Sequence, residues 1–93
     1  AGVQLFRAPE VSKSNNWLIP LVLDHAHSKD RDELLKMLND SGIMTRPIWI
    51  PMHRLSMYRS SPSADLTQAE DLAARVFSIP SSAYLGASTD IAI

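Results

Sequence analysis

Cysteine is absent from the 93-residue sequence, which excludes a disulfide framework and any thiolate metal site. Long apolar runs are absent too, the longest falling far short of the ~20 residues a membrane-spanning helix needs. No charge of one sign dominates, because 9 Lys and Arg stand against 10 Asp and Glu for a net charge of -1. That balance gives no electrostatic footprint for nucleic acid or an anionic membrane. The opening residues do not read as a secretory leader, so a cytoplasmic location is the expectation. Repeats and low-complexity tracts are missing, and no linker divides the chain. What remains is one globular domain with 45% hydrophobic and 20% charged residues. A chain this short buries roughly 60–65% of the surface its unfolded form exposes, so it is only marginally self-sufficient. The start at Ala1-Gly2 and the stop just after Ser88-Thr89, a pair suited to capping a helix, suggest a fragment of a larger protein.

Hydrophobic spacing orders the elements. Val3 to Phe6 reads as a short strand, and the polar Ser12-Lys13-Ser14-Asn15-Asn16 as a loop. Trp17 to Leu23 is a β-rich run in which Trp17, Ile19, Leu21 and Leu23 share one face. Pro20 places that strand beside an edge or a bulge, since it offers no N–H to a ladder. Ser28 is the expected N-cap of a first helix over Lys29 to Ser41, with Asp30, Asp32 and Glu33 in its first turn and Gly42 ending it. Leu34, Leu35 and Leu38 form its inner stripe, and Asp32 and Lys36 can pair at i,i+4. A strand follows and is expected to leave the sheet at Pro51. The segment from Pro51 to Leu66 has no periodicity, and ordered loops of that length often carry function. Thr67-Gln68-Ala69-Glu70 has the form of a capping box, opening a second helix whose stripe is Leu66, Ala69, Leu72, Ala73, Val76 and Phe77. Pro80 stops it, and Ser81-Ser82 begin a last turn. The expected fold is α+β, with helices packed on one face of a small sheet.

The chemistry concentrates between Gly42 and Tyr58. Arg46, Trp49, His53 and Tyr58 supply a guanidinium, an indole, an imidazole and a phenol, a set suited to an anionic, ring-containing ligand. Arg54 and Arg59 read as solvated charges. His25 and His27 flank one alanine but lack a third ligand, so they read as surface histidines rather than a metal pair. No catalytic, cofactor-binding or metal-binding residue is expected in the chain.

Asn16-Trp17-Leu18-Ile19-Pro20-Leu21-Val22-Leu23-Asp24, Gly42-Ile43 through Arg46-Pro47-Ile48-Trp49-Ile50-Pro51-Met52-His53, Met57-Tyr58, Ala69-Glu70-Asp71-Leu72 and Ile79-Pro80-Ser81-Ser82 resemble the C-terminal part of DegT/DnrJ/StrS-type sugar-nucleotide aminotransferases. The resemblance covers nearly the whole chain, and the Arg-Pro-x-Trp-x-Pro-x-His run is its most specific part. It implies the C-terminal small domain of a pyridoxal-phosphate enzyme of the aspartate-aminotransferase fold. Such an enzyme moves an amino group, usually from glutamate, onto a nucleotide-linked keto sugar, and Thr45-Arg46-Pro47-Ile48-Trp49 looks closest to the branch that makes bacterial surface sugars such as nonulosonic acids. The parent is expected to be a homodimer that binds the nucleotide sugar and the amino donor. The family's Schiff-base lysine belongs to a large N-terminal domain, so this chain alone is expected to hold no cofactor and to be inactive. The family's last helix, beyond Pro80-Ser81-Ser82, is expected to be missing or truncated over Ser88 to Ile93. The rival expectation is a self-contained module that binds a small anion or another protein without catalysis.

Overall fold

A computed structural model describes residues 2–82 and residue 85. Four antiparallel strands form one sheet in the order β1-β2-β4-β3, where β1 is Val3–Leu5, β2 Ile19–Leu23, β3 Arg46–Pro47 and β4 Val76–Ile79. Among the described residues two α-helices accompany it, α1 over Arg31–Asp40 and α2 over Thr67–Arg75. The fold is the expected α+β arrangement of a small sheet with helices. The truncated final helix expected over Ser88 to Ile93 lies outside the described residues.

β2 is flanked on both sides. It pairs with β1 through Val3↔Leu23, Gln4↔Val22 and Leu5↔Leu21, and with β4 through Ile19↔Ile79, Leu21↔Phe77 and Val22↔Val76. Pro20 fits an inner strand because of where it falls. Its carbonyl accepts the Phe6 N–H at 3.0 Å, one rung beyond the end of β1, and the β1–β2 ladder stops there. The missing donor thus falls where the β1–β2 ladder ends, on an inner strand paired to β4 through Pro20↔Ser78 and not at the edge or bulge that Pro20 suggested. Pairing aligns Leu21, Leu23, Phe77 and Ile79 on one face of the sheet, and Leu34, Leu35 and Leu38 of α1 pack over them. Phe77 is the largest fully buried side chain, at 1% exposure. The α1–sheet layer stays open on one side as an apolar groove of about 1080 Å3, lined by Leu21, Leu34, Met37, Ile43, Ile79 and Leu85 among others.

Several local expectations are corrected. β4 is the largest, because Val76 and Phe77 were read as the last turn of helix two. Val76 instead adopts extended geometry (φ -99°, ψ 138°), and strand follows helix with no residue between. Apolar residues at i and i+1 after a helix satisfy both periods, so spacing alone could not separate them. α1 starts at Arg31 rather than Lys29, since His25–Asp30 wind first as a 3-10 turn and Asp30, not Ser28, takes the N-cap position without a side-chain cap bond. Lys36 pairs with Asp40 at 2.7 Å instead of with Asp32, which holds Arg31. The capping box is absent from the start of α2. Asp65 Oδ1 accepts both the Thr67 N–H at 3.0 Å and the Thr67 hydroxyl at 2.6 Å, and Glu70 is engaged elsewhere. β2 begins at Ile19, two residues later than expected, which leaves Trp17 outside the sheet.

Gly42 ends α1 as expected. Its φ of +89° is a conformation glycine adopts freely, the Gly42 N–H reaches Asn39 O, and the Ile43 N–H reaches Leu38 O at 2.9 Å. Those two bonds make a Schellman turn, with Ile43 in the position after the glycine. The turn delivers the chain to Thr45, 1% exposed, where a polar bracket forms. Asn39 Nδ2 donates to Leu35 O at 2.8 Å and to Thr45 Oγ1 at 2.9 Å, while Asn39 Oδ1 accepts the Thr45 N–H at 3.0 Å. This bracket sets where β3 begins, and so where Arg46 stands. Asn39→Ala leaves a buried threonine with unmet groups and is expected to cost about 2–3 kcal/mol, read as a lower urea midpoint with an unchanged slope. A loss under about 0.5 kcal/mol would show that the bracket holds nothing.

Candidate functional site

The loop entering β2 is shaped by its own side chains. Ser14 Oγ accepts the Asn16 N–H, Asn15 Oδ1 accepts the Trp17 N–H, both at 3.0 Å, and Asn16 takes a left-handed φ of 57° that asparagine tolerates. Trp17 emerges from this turn, its carbonyl receiving the Ser81 hydroxyl. Its indole meets that of Trp49 edge to face, with centroids 6.3 Å apart and planes at 69°. Both indoles stay open to solvent, at 65% and 70% exposure. An aromatic pair gains from such geometry, yet two tryptophans left this wet form a surface rather than a core. Trp17 was missed as a partner of Trp49, because alternation through Leu23 assigned it to the sheet's covered face.

β3 is a two-residue edge strand, Arg46↔Ser78 and Pro47↔Phe77, extended by the Ile48 N–H to Val76 O at 3.2 Å. β3 lies at the sheet edge, but its pairing ends by Ile48, short of the departure at Pro51 that the sequence led one to expect. Arg46 is exposed and folds one guanidinium nitrogen back onto Thr45 O at 2.9 Å, which leaves its other N–H groups for a ligand. Past Pro51 the chain winds through two single 3-10 turns, Met52–Arg54 and Ser56–Tyr58. His53 and Tyr58 line one cavity of about 440 Å3 with Pro51, Leu66 and Ala69. Of the four expected site residues, then, the fold brings His53 and Tyr58 to one cavity, turns Trp49 onto Trp17, and holds Arg46 beside Thr45.

Glu70 of α2 gathers the basic side chains of the first 3-10 turn. Its Oε1 receives His53 Nε2 and Arg54 Nε, the latter at 3.0 Å, and its Oε2 receives the Arg54 terminal nitrogen. Arg54 is therefore not the free solvated charge its sequence position suggested. Glu70 escaped notice because the Thr67–Glu70 spacing satisfied a capping pattern.

A second cluster ties the 3-10 turn before α1 and the end of β2 to α2. Asp71 accepts from Arg75 at 2.7 Å and meets His25 Nε2 at 3.1 Å, while Arg75 also donates to Leu23 O at 2.6 Å. The Arg75 hydrogen bond holds the Asp71 carboxyl below its ordinary pKa, helped by His25 and opposed by desolvation. The two bonds from Thr67 lower Asp65 likewise. His27 lies 3.4 Å from Asp30. His25 and His27 are both exposed, and among the described residues no group of three or more His, Cys, Asp or Glu side chains comes together.

The family model for DegT/DnrJ/EryC1/StrS aminotransferases matches residues 1–91. The chain belongs to that family. Among solved structures, DesI, described in the presence of its TDP-sugar product, superposes with a TM-score of 0.72 at 33% identity, covering 85% of this chain and 21% of DesI. Helicobacter pylori PseC, an aminotransferase involved in the biosynthesis of pseudoaminic acid, gives a TM-score of 0.65 at 26% identity over 73% of this chain and 19% of PseC. The chain thus spans about a fifth of each of these relatives. A search of curated proteins finds no match. No helix among the described residues is long and apolar enough to cross a membrane.

Membership of an aminotransferase family implies pyridoxal phosphate for the parent enzyme. The lysines present do not fit that group. Lys13 and Lys29 are exposed, and Lys36 is exposed and held by Asp40, whereas a lysine that forms an imine is activated by desolvation or a cationic neighbour.

Proposed function

We propose that the chain is the C-terminal small domain of a pyridoxal-phosphate-dependent sugar-nucleotide aminotransferase, with the cofactor and its lysine carried by a large domain outside residues 1–93. The reaction moves an amino group, from glutamate, onto a nucleotide-linked keto sugar destined for bacterial surface polysaccharide or nonulosonic acids. The parent works as a homodimer in the cytoplasm. The observation that carries this reading is the family match over 1–91. DesI's TDP-sugar product and PseC's place in pseudoaminic acid biosynthesis support a nucleotide-sugar acceptor.

In this reading Arg46 pairs with an anionic group of the acceptor, Trp49 covers a ring, and His53 and Tyr58 hydrogen-bond phosphate or sugar hydroxyls. The exposed indole and the Arg46 N–H groups left free by Thr45 are consistent with those roles. In the intact enzyme, Arg46→Ala and His53→Ala should each weaken acceptor use roughly ten- to a hundredfold, the worth of one charge-assisted contact. The half-reaction with the amino donor should change little. Stopped-flow measurement of the two half-reactions separates these outcomes, and variants that keep acceptor kinetics while melting earlier would make both residues structural.

A further inference from the structure

Glu70 joins α2 to the loop beyond Pro51, and it takes up both basic side chains there, His53 through Nε2 and Arg54 through two nitrogens. A carboxylate that carries a guanidinium across both oxygens is an acceptor only. The imidazole nitrogen facing it must therefore bear the hydrogen, which fixes the Nε2–H form of the ring. Among the described residues Nδ1 makes no hydrogen bond, and the ring borders the cavity it shares with Tyr58. His53 is three-quarters covered, so the ring cannot turn freely to exchange its two nitrogens. A neutral ring held this way offers a lone pair at Nδ1 to a hydroxyl, and a protonated one offers an N–H to a phosphate oxygen.

We propose that Glu70 is a positioning residue for the acceptor site, holding His53 as the Nε2–H form so that Nδ1 is the atom that meets the sugar nucleotide. This rests on the reading of His53 as an acceptor-binding residue. Glu70 touches no substrate itself and acts through the ring it orients, much as a carboxylate orients a histidine in other sites.

The test uses the intact aminotransferase carrying 15N-labelled histidine, with long-range 1H–15N spectra recorded at alkaline pH and acceptor kinetics on the same samples. Wild type should show the Nε2–H form of His53 alone, and Glu70→Ala should show a mixture of both forms. Glu70→Ala should also raise the acceptor KM roughly tenfold, leave the donor half-reaction unchanged, and cost nothing more when added to His53→Ala. An Nδ1–H form in wild type overturns the inference without any variant having to fold. A ring that stays Nε2–H in Glu70→Ala, or losses that add in the double variant, overturns it as well. A His53→Ala enzyme with unaltered acceptor kinetics overturns the reading beneath it, and the inference with it.

Discussion

Phe77→Ala should remove about 3–5 kcal/mol of folding stability, the largest loss expected of any single truncation in this core. Phe77 is 1% exposed, opposes Leu21 across the β2–β4 ladder, and is the side chain onto which Leu23 and Leu35 close. Truncation empties the point where the sheet meets α1, and three short elements cannot collapse together to refill it. A domain of this size has roughly 5–14 kcal/mol in all, so the substitution takes a large share of what exists. Urea denaturation followed by tryptophan fluorescence reads the loss, with Trp17 and Trp49 as reporters. Leu72→Ala gives the contrast, because Leu72 is already exposed, and should cost under about 1 kcal/mol. Equal losses in the two variants would mean that the core does not lie where Phe77 places it.

Pyridoxal phosphate mixed with the 93-residue chain should give no lysine adduct that borohydride can trap at a single site, and no transamination of any amino donor. The basis is the surroundings of Lys13, Lys29 and Lys36, which sit in solvent, one of them in a surface ion pair with Asp40. A solvated lysine lacks the desolvation or cationic neighbour that activates an imine-forming one. Scattered labelling of all three lysines at high reagent would be ordinary surface chemistry. A single trapped lysine with a matching visible band would show that the domain holds a cofactor site of its own.

The parts of the fold legible in the sequence were those where two independent signals agreed. β2 combined β-branched alternation with a bounding turn, and α1 combined acidic residues in the first turn with a glycine that forms its exit turn at φ +89°. β4 was illegible because Val76 and Phe77 extend a helical stripe without interruption, and what makes β4 a strand is pairing with β2 nearly sixty positions earlier. Local spacing carries no trace of such a partner. The resemblance to DegT/DnrJ-type enzymes was legible from the Arg-Pro-x-Trp-x-Pro-x-His run, and the family model agrees.

The candidate site divides the same way. Arg46, Trp49, His53 and Tyr58 could be singled out by residue type, because guanidinium, indole, imidazole and phenol are scarce and here lie close in sequence. Glu70 and Trp17 could not, since each fitted a structural pattern that explained it fully. What redirected them was tertiary: the loop after Pro51 folds onto α2 and brings His53 and Arg54 to Glu70, and the Ser14–Asn16 turn lifts Trp17 out of the sheet toward Trp49.

The strand order β1-β2-β4-β3 imposes a sequence of events on folding. The β1–β2 pair and α1 are available early in synthesis, but among the described residues β3 pairs only with β4, and β4 is the last of the four strands to be made. A nascent chain waiting for Val76 therefore holds Arg46 and Pro47 without a ladder and leaves one edge of β2 open, a span in which strand edges invite wrong pairings. When β4 arrives, it closes the long loop from β2 and admits β3 in one step, so the slow, entropically costly contact and the completion of the candidate site coincide.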